Sequence, residues 1–207
     1  MFSRLVKTTF FMLAVMTTSV SVTQQAEGRG GKAPFLNIGN QTSIPYGWVD
    51  FCYRYKGECD DSSQKVSEIE LNAHQLALIE QINHHVNSTI IPLSDMDHWG
   101  VIDQWDYPMD GFGDCEDFAL LKRKLLINEG LPRQALLITV VRDKQGEGHA
   151  ILTVHTSRGD LILDNLNDDV KIWHETGYSF VKRQDASNQN KWVDLIDPQQ
   201  ALAVAAR

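Results

Sequence analysis

Cysteine is scarce, with three residues in a chain of 207. That excludes a small scaffold built on a dense disulfide framework. Basic residues are outnumbered, 19 Lys and Arg against 27 Asp and Glu, for a formal charge of -8. A general nucleic-acid binder needs the reverse balance, because its affinity comes from cations that displace phosphate counterions. Beyond residue 21 no stretch approaches the roughly 18 apolar residues of a membrane span. No internal repeat or low-complexity block is present, so solenoid and disordered organisations are out. What remains is an ordinary globular composition, 43% apolar and 22% charged. It suits one domain of about 150–200 residues behind a leader, large enough to bury a core without disulfides.

The leader is visible at the start. Arg4 and Lys7 precede the apolar run Phe10-Phe11-Met12-Leu13-Ala14-Val15-Met16, which is too short to cross a bilayer. Small residues follow, and Ser19-x-Ser21 suits signal-peptidase cleavage. Residues 1–21 therefore read as a signal peptide, and the destination as an oxidising compartment, taken here as a bacterial periplasm. Export gives the cysteines meaning. Cys52 and Cys59 stand seven apart around Gly57 and are expected to form a local disulfide. The alternatives are two free thiols or half a metal site, for which no second pair at zinc spacing appears. Cys115 is then left alone.

Residues 22–45 are polar and Gly-rich and read as a flexible lead-in, which makes 46–207 the domain. Ile69, Leu76, Ile79, Ile82 and Val86 recur at helical spacing, so a helix is expected over about 67–87. Residues 94–113 form a loop rich in aromatics and turn formers. A second helix should start at Asp114, with Asp117 completing a capping box, and stop at Gly130 and Pro132. Lys122, Arg123 and Lys124 are expected on its solvated face. Six short β-rich segments follow, at 136–141, 150–155, 161–163, 170–173, 178–182 and 192–195. Helices first and consecutive strands later imply an α+β domain with an antiparallel sheet.

Cys115 falls in the first turn of the second helix, where free backbone N–H groups favour a thiolate. Asp114, Glu116 and Asp117 oppose that effect, and a cation held by these acids would remove the conflict. A nucleophilic thiol also needs a base. His74, His84 and His85 lie on the first helix and read as surface groups. His98, in the aromatic loop, is a rival, while His155 and His174 sit on or after strands. His149 follows Gly146-Glu147-Gly148 and opens a strand, so its ring can reach a cleft. Asp164 or Asn165 could orient that ring. With a turn at Arg158-Gly159, however, Asp164 would sit about 13 Å along the strand from His149.

Three blocks together resemble the bacterial transglutaminase-like cysteine proteinases. They are Gly113-Asp114-Cys115-Glu116-Asp117-Phe118-Ala119-Leu120-Leu121-Lys122-Arg123, Gly148-His149-Ala150-Ile151-Leu152 and Leu163-Asp164-Asn165-Leu166. The Trp99-Gly100 and Trp105 loop is similar too, and the likeness spans about residues 45–185. The resemblance implies a papain-like, transglutaminase-like core, N-terminal helices packed on an antiparallel sheet. It also implies a triad of Cys115, His149 and Asp164. Its LapG-type branch is periplasmic and calcium-dependent and clips a large surface adhesin of biofilms under an inner-membrane regulatory protein. Asp114 and Glu116 match that branch's metal positions, so calcium is the implied cofactor, and a protein substrate and such a regulator are the implied partners. Two other readings use the same residues. One is transglutaminase-type amide transfer, and the other is a non-catalytic calcium-binding module.

Overall fold

The computed structural model describes residues 34–60 and 64–196. The signal peptide expected at 1–21 lies outside the described residues, as does the first half of the expected lead-in, 22–33. The architecture is α+β. Seven strands form one antiparallel sheet: β1 (Asn37–Thr42), β4 (Leu136–Arg142), β5 (Gly148–Thr156), β6 (Gly159–Asp164), β7 (Asn167–Ile172), β8 (Ser179–Asp185) and β9 (Asn188–Ile196). Their spatial order is β1-β9-β8-β4-β5-β6-β7. Two short strands, β2 (Ile91–Pro92) and β3 (Phe112–Gly113), pair in parallel beside it. The helices are α1 (Tyr46–Arg54), α2 (Ala73–Thr89), the single turn α3 (Asp95–His98) and α4 (Cys115–Asn128). Among the described residues no helix is long and apolar enough to cross a membrane.

Strand alternation splits the core. Leu152, Val154 and Leu163 join the main cluster with Phe118, Leu120 and Leu126 of α4 and Ile79, Ile82 and Val86 of α2. Ile151 and Ile162, one residue out of phase, join a smaller cluster with Val141, Trp173 and Phe180. The period of two assigns neighbours to opposite sheet faces. All six strands expected after Pro132 are present.

Three expectations change, and one helix was not foreseen. The first helix starts at Ala73, because the Asn72 side chain caps it by accepting from Gln75 N–H at 2.9 Å. Upstream, Ile69 bridges Thr156 as extended chain instead. Part of the stretch expected to be a flexible lead-in, 37–42, is the edge strand β1, paired with β9. Being mostly solvent-facing, it carries no alternating apolar signal. The helix α1 gave no early sign either, although Trp48 and Phe51 bury its inner face. Finally, Lys122 and Arg123 do not sit on a solvated face; both are buried. Arg123 donates to Leu136 O at 2.9 Å and Gln189 Oε1 at 2.8 Å, while Lys124 bonds Glu58. Their aliphatic stems fill core space, and only the Lys124 head keeps substantial surface.

Candidate active site

Cys115 is the first residue of α4, as its capping pattern implied. Asp114 and Asp117 form the reciprocal capping box. Gly113 is needed next to it, since a Cβ there would meet Asp117 Oδ2 at 2.7 Å. The residue keeps some surface while its sulfur is set deep. Sγ accepts from Ala150 N–H at 3.4 Å, which docks the helix start on the first residues of β5. Sγ also donates to Glu116 Oε2 at 3.1 Å. Burial first, and then the Glu116 charge, push the thiol well above its ordinary value. The Ala150 N–H pulls the other way, but burial and the acids together outweigh it.

His149 and Asp164 are both buried, and His149 Nε2 lies 2.8 Å from Asp164 Oδ1. The expected gap along the strand is closed by a different turn. The hairpin turns at Ser157–Arg158, with Thr156 opposite Gly159 and Leu152 opposite Leu163. That register slides Asp164 two residues closer and makes it a diagonal neighbour of His149, within side-chain reach. Burial alone would push the Asp164 carboxyl up. Hydrogen bonds from His149, from Tyr178 Oη at 2.5 Å and from Leu166 N–H at 3.0 Å outweigh it and hold the group below its ordinary value. The rival Asn165 keeps a buried Oδ1 without a hydrogen-bond partner. Two rival histidines are engaged elsewhere: His98 with Asp110 at 2.9 Å and stacked on Trp99, His155 with Asp160 at 2.7 Å.

The acids at the helix start belong to a larger cluster. Ligand oxygens of Asp95, Asp103 and Glu116 lie within 4.8 Å of one another, as do those of Asp95, Asp114 and Asp117. Two unit charges that close repel by about 3–4 kcal/mol at an effective dielectric of about 20. The burden shows in protonation. Burial, and then neighbouring acids, push Asp117 up to about 8 and raise Asp95 and Glu116 as well. Asp114 Oδ1 is buried with no hydrogen-bond partner. The donor set is all oxygen and partly pre-assembled, since Asp95 accepts from Gln104 N–H and Asp117 accepts from Asp106 N–H at 2.6 Å. It fits a hard cation such as calcium. Asp95 and Asp103 were missed from sequence. Their signal was the density of acids among the aromatics of 95–110, but nothing local ties that loop to α4.

The thiol at the start of α4 is thus docked on β5, which carries His149 near its start, and the neighbouring β6 ends with the Asp164 that pairs with it. The chain matches the bacterial transglutaminase-like cysteine proteinase family over residues 38–200 and belongs to that family of cysteine peptidases. The calcium-bound LapG of Legionella pneumophila shares the fold, at TM-score 0.51 and 22% identity over 67% of this chain and 83% of that one. A further structure of Legionella LapG aligns at TM-score 0.49 and 24% identity, covering 66% of this chain and 77% of that one. The EGTA-treated form aligns at TM-score 0.49 and 23% identity, covering 63% and 75%. No curated protein matches the chain.

Proposed function

We propose that this protein is an exported, calcium-dependent cysteine endopeptidase working through Cys115, His149 and Asp164, with a large surface adhesin as its substrate and an inner-membrane protein as its regulator. The observation that carries the site is the junction of Ala150 N–H with Cys115 Sγ, which sets the thiol beside the residue that follows His149. Cys115 Sγ attacks the scissile carbonyl carbon, and its proton passes to His149. The tetrahedral adduct collapses, the C–N bond breaks, and His149 protonates the leaving amine. Water, deprotonated by His149, then cleaves the thioester and releases the new carboxylate. Asp164 holds the imidazole through Nε2, which leaves Nδ1 as the nitrogen for the thiol. The N–H of Cys115 at the helix start suits a developing oxyanion. Export is supported by the leader pattern, and the adhesin and regulator by resemblance to the LapG branch.

Asp95, Asp103, Asp114, Glu116 and Asp117 would hold calcium, which supplies the positive charge that this acid cluster needs. With Glu116 neutralised, the helix start and His149 can lower the thiol. The test is the pH dependence of Cys115 alkylation by iodoacetamide, with calcium or with EGTA, on the wild type and His149→Ala. Rapid alkylation below pH 7 that needs both calcium and His149 is expected. A slow thiol indifferent to both would sink this reading and favour a calcium-binding module.

A further inference from the structure

Asp164 has two carboxylate oxygens and three donors. Oδ1 takes His149 Nε2 and the Leu166 N–H, and Oδ2 takes the Tyr178 hydroxyl at 2.5 Å. That is the length of a charge-assisted O–H···O bond. Rotation about the last bond of an aspartate is soft and two-fold, so nothing intrinsic keeps Oδ1 toward the histidine. Tyr178 also sets its ring edge-on to His149, with centroids 5.7 Å apart at 79°. It thus touches both members of the pair.

Tyr178 is itself firmly placed. Its N–H donates to Thr176 Oγ1 at 3.2 Å, and that hydroxyl donates to Trp173 O at 2.8 Å. Gly177 adopts φ +76°, a left-handed turn that side-chain-bearing residues rarely take, and so brings the ring into position at the start of β8. The charged groups around this node are Lys122 from α4, Asp168 from β7, and Asp143 and Lys144 from the turn after β4. Burial and then Asp164 raise the Tyr178 hydroxyl above its ordinary value, so it remains a donor through the alkaline range.

We propose that Tyr178 is a positioning residue of the centre: its hydroxyl locks the rotation of Asp164 and so fixes the imidazole of His149. The inference rests on the reading of Cys115, His149 and Asp164 given above, and its test separates the two. Alkylation of Cys115 by iodoacetamide is followed from pH 5 to 9 in calcium for the full chain, Tyr178→Phe, Tyr178→Met and Asp164→Ala, with the thermal midpoint of each. Cys115 is the single thiol once Cys52 and Cys59 are paired. Tyr178→Phe keeps the ring and should keep the thermal midpoint. Its alkylation midpoint should move up by about one pH unit toward that of Asp164→Ala, a tenfold loss of reactive thiolate below it. Tyr178→Met should do the same. A purely structural tyrosine would lower the thermal midpoint without moving the pH profile, which overturns the inference. If Asp164→Ala shifts the profile and Tyr178→Phe matches the wild type, the inference fails and the triad stands. If Asp164→Ala shifts nothing, both fall.

Discussion

Two groups meet at Cys115 and settle their charges differently. The His149–Asp164–Tyr178 group touches it through Ala150, and the acid cluster touches it through Glu116. In the first, one carboxylate has three donors and sits below its ordinary pKa. In the second, five carboxylates share few donors, and three are raised, Asp117 to about 8. Burial pushes all four of these carboxyls up, and Asp95, Glu116 and Asp117 are as buried as Asp164, so burial does not decide between them. Donors do. A buried carboxylate with N–H and O–H partners stays charged, and one facing other carboxylates keeps its proton or waits for a cation. The difference teaches that the first group is balanced by protein atoms alone, while the second leaves negative charge that the proposed calcium would offset.

The largest expected effect breaks the comparison by completing the second group. Calcium at about a hundred times its dissociation constant should stabilise the fold by about 2.7 kcal/mol. Asp95→Asn should remove most of that response, because Asp95 belongs to both oxygen triplets. Thermal melts in calcium and in EGTA check this. Identical midpoints for the wild type in both would mean the cluster binds no calcium.

A slightly smaller effect sharpens the comparison by loosening one group alone. Cys52 and Cys59 are joined, with Cα atoms 5.4 Å apart, and their loop closes the end of α1. From that end Arg54 donates to Asp106 at 2.9 Å and Tyr55 bonds the same carboxylate. Asp106 in turn donates its N–H to Asp117. Replacing both cysteines by serine should cost about 2.5 kcal/mol from loop entropy, measured by urea unfolding. The calcium response should weaken with it, while the pH midpoint of Cys115 alkylation in saturating calcium stays where it was. A moved midpoint would show that the two groups are coupled through α1.

The sequence revealed the parts whose signals are local. The cap Asp114, the stop at Gly130 and the alternating strands each rest on neighbours in the chain, and all appear where their patterns put them. Cys115 and His149 were legible for the same reason, as a helix start and a strand start. The meeting of His149 with Asp164 was not, because it depends on which two residues form the turn, and Ser157–Arg158 carries no stronger turn signal than Arg158–Gly159. Asp95 and Asp103 reach the site only through the path of a long loop. The edge strand β1 faces solvent and so shows no pattern at all. Lys122 and Arg123 misled because charge was read as exposure, whereas long side chains can carry a charge into a core.

Lys122 is also the exception on the well-partnered side. Its ammonium is buried without a hydrogen-bond partner, near the Phe118 ring and under the influence of Asp164 and Asp168. Burial lowers its pKa from 10.5 to about 7, more than those two carboxylates raise it. The unfolded chain keeps this proton up to about pH 10. Between about pH 7 and 10 the unfolded state therefore binds one more proton, and stability rises with pH across that window. Below pH 7 the full cost of burying the charge is present. Lys122→Met keeps the volume and removes the charge, so it should stabilise the protein by about 1–2 kcal/mol at or below pH 7. The gain should shrink toward zero by pH 10, as read from urea unfolding at several pH values. A loss of stability at pH 6 would mean that Asp164 and Asp168 hold the ammonium more strongly than burial opposes it, and Lys122 would then belong with the donors that keep Asp164 charged.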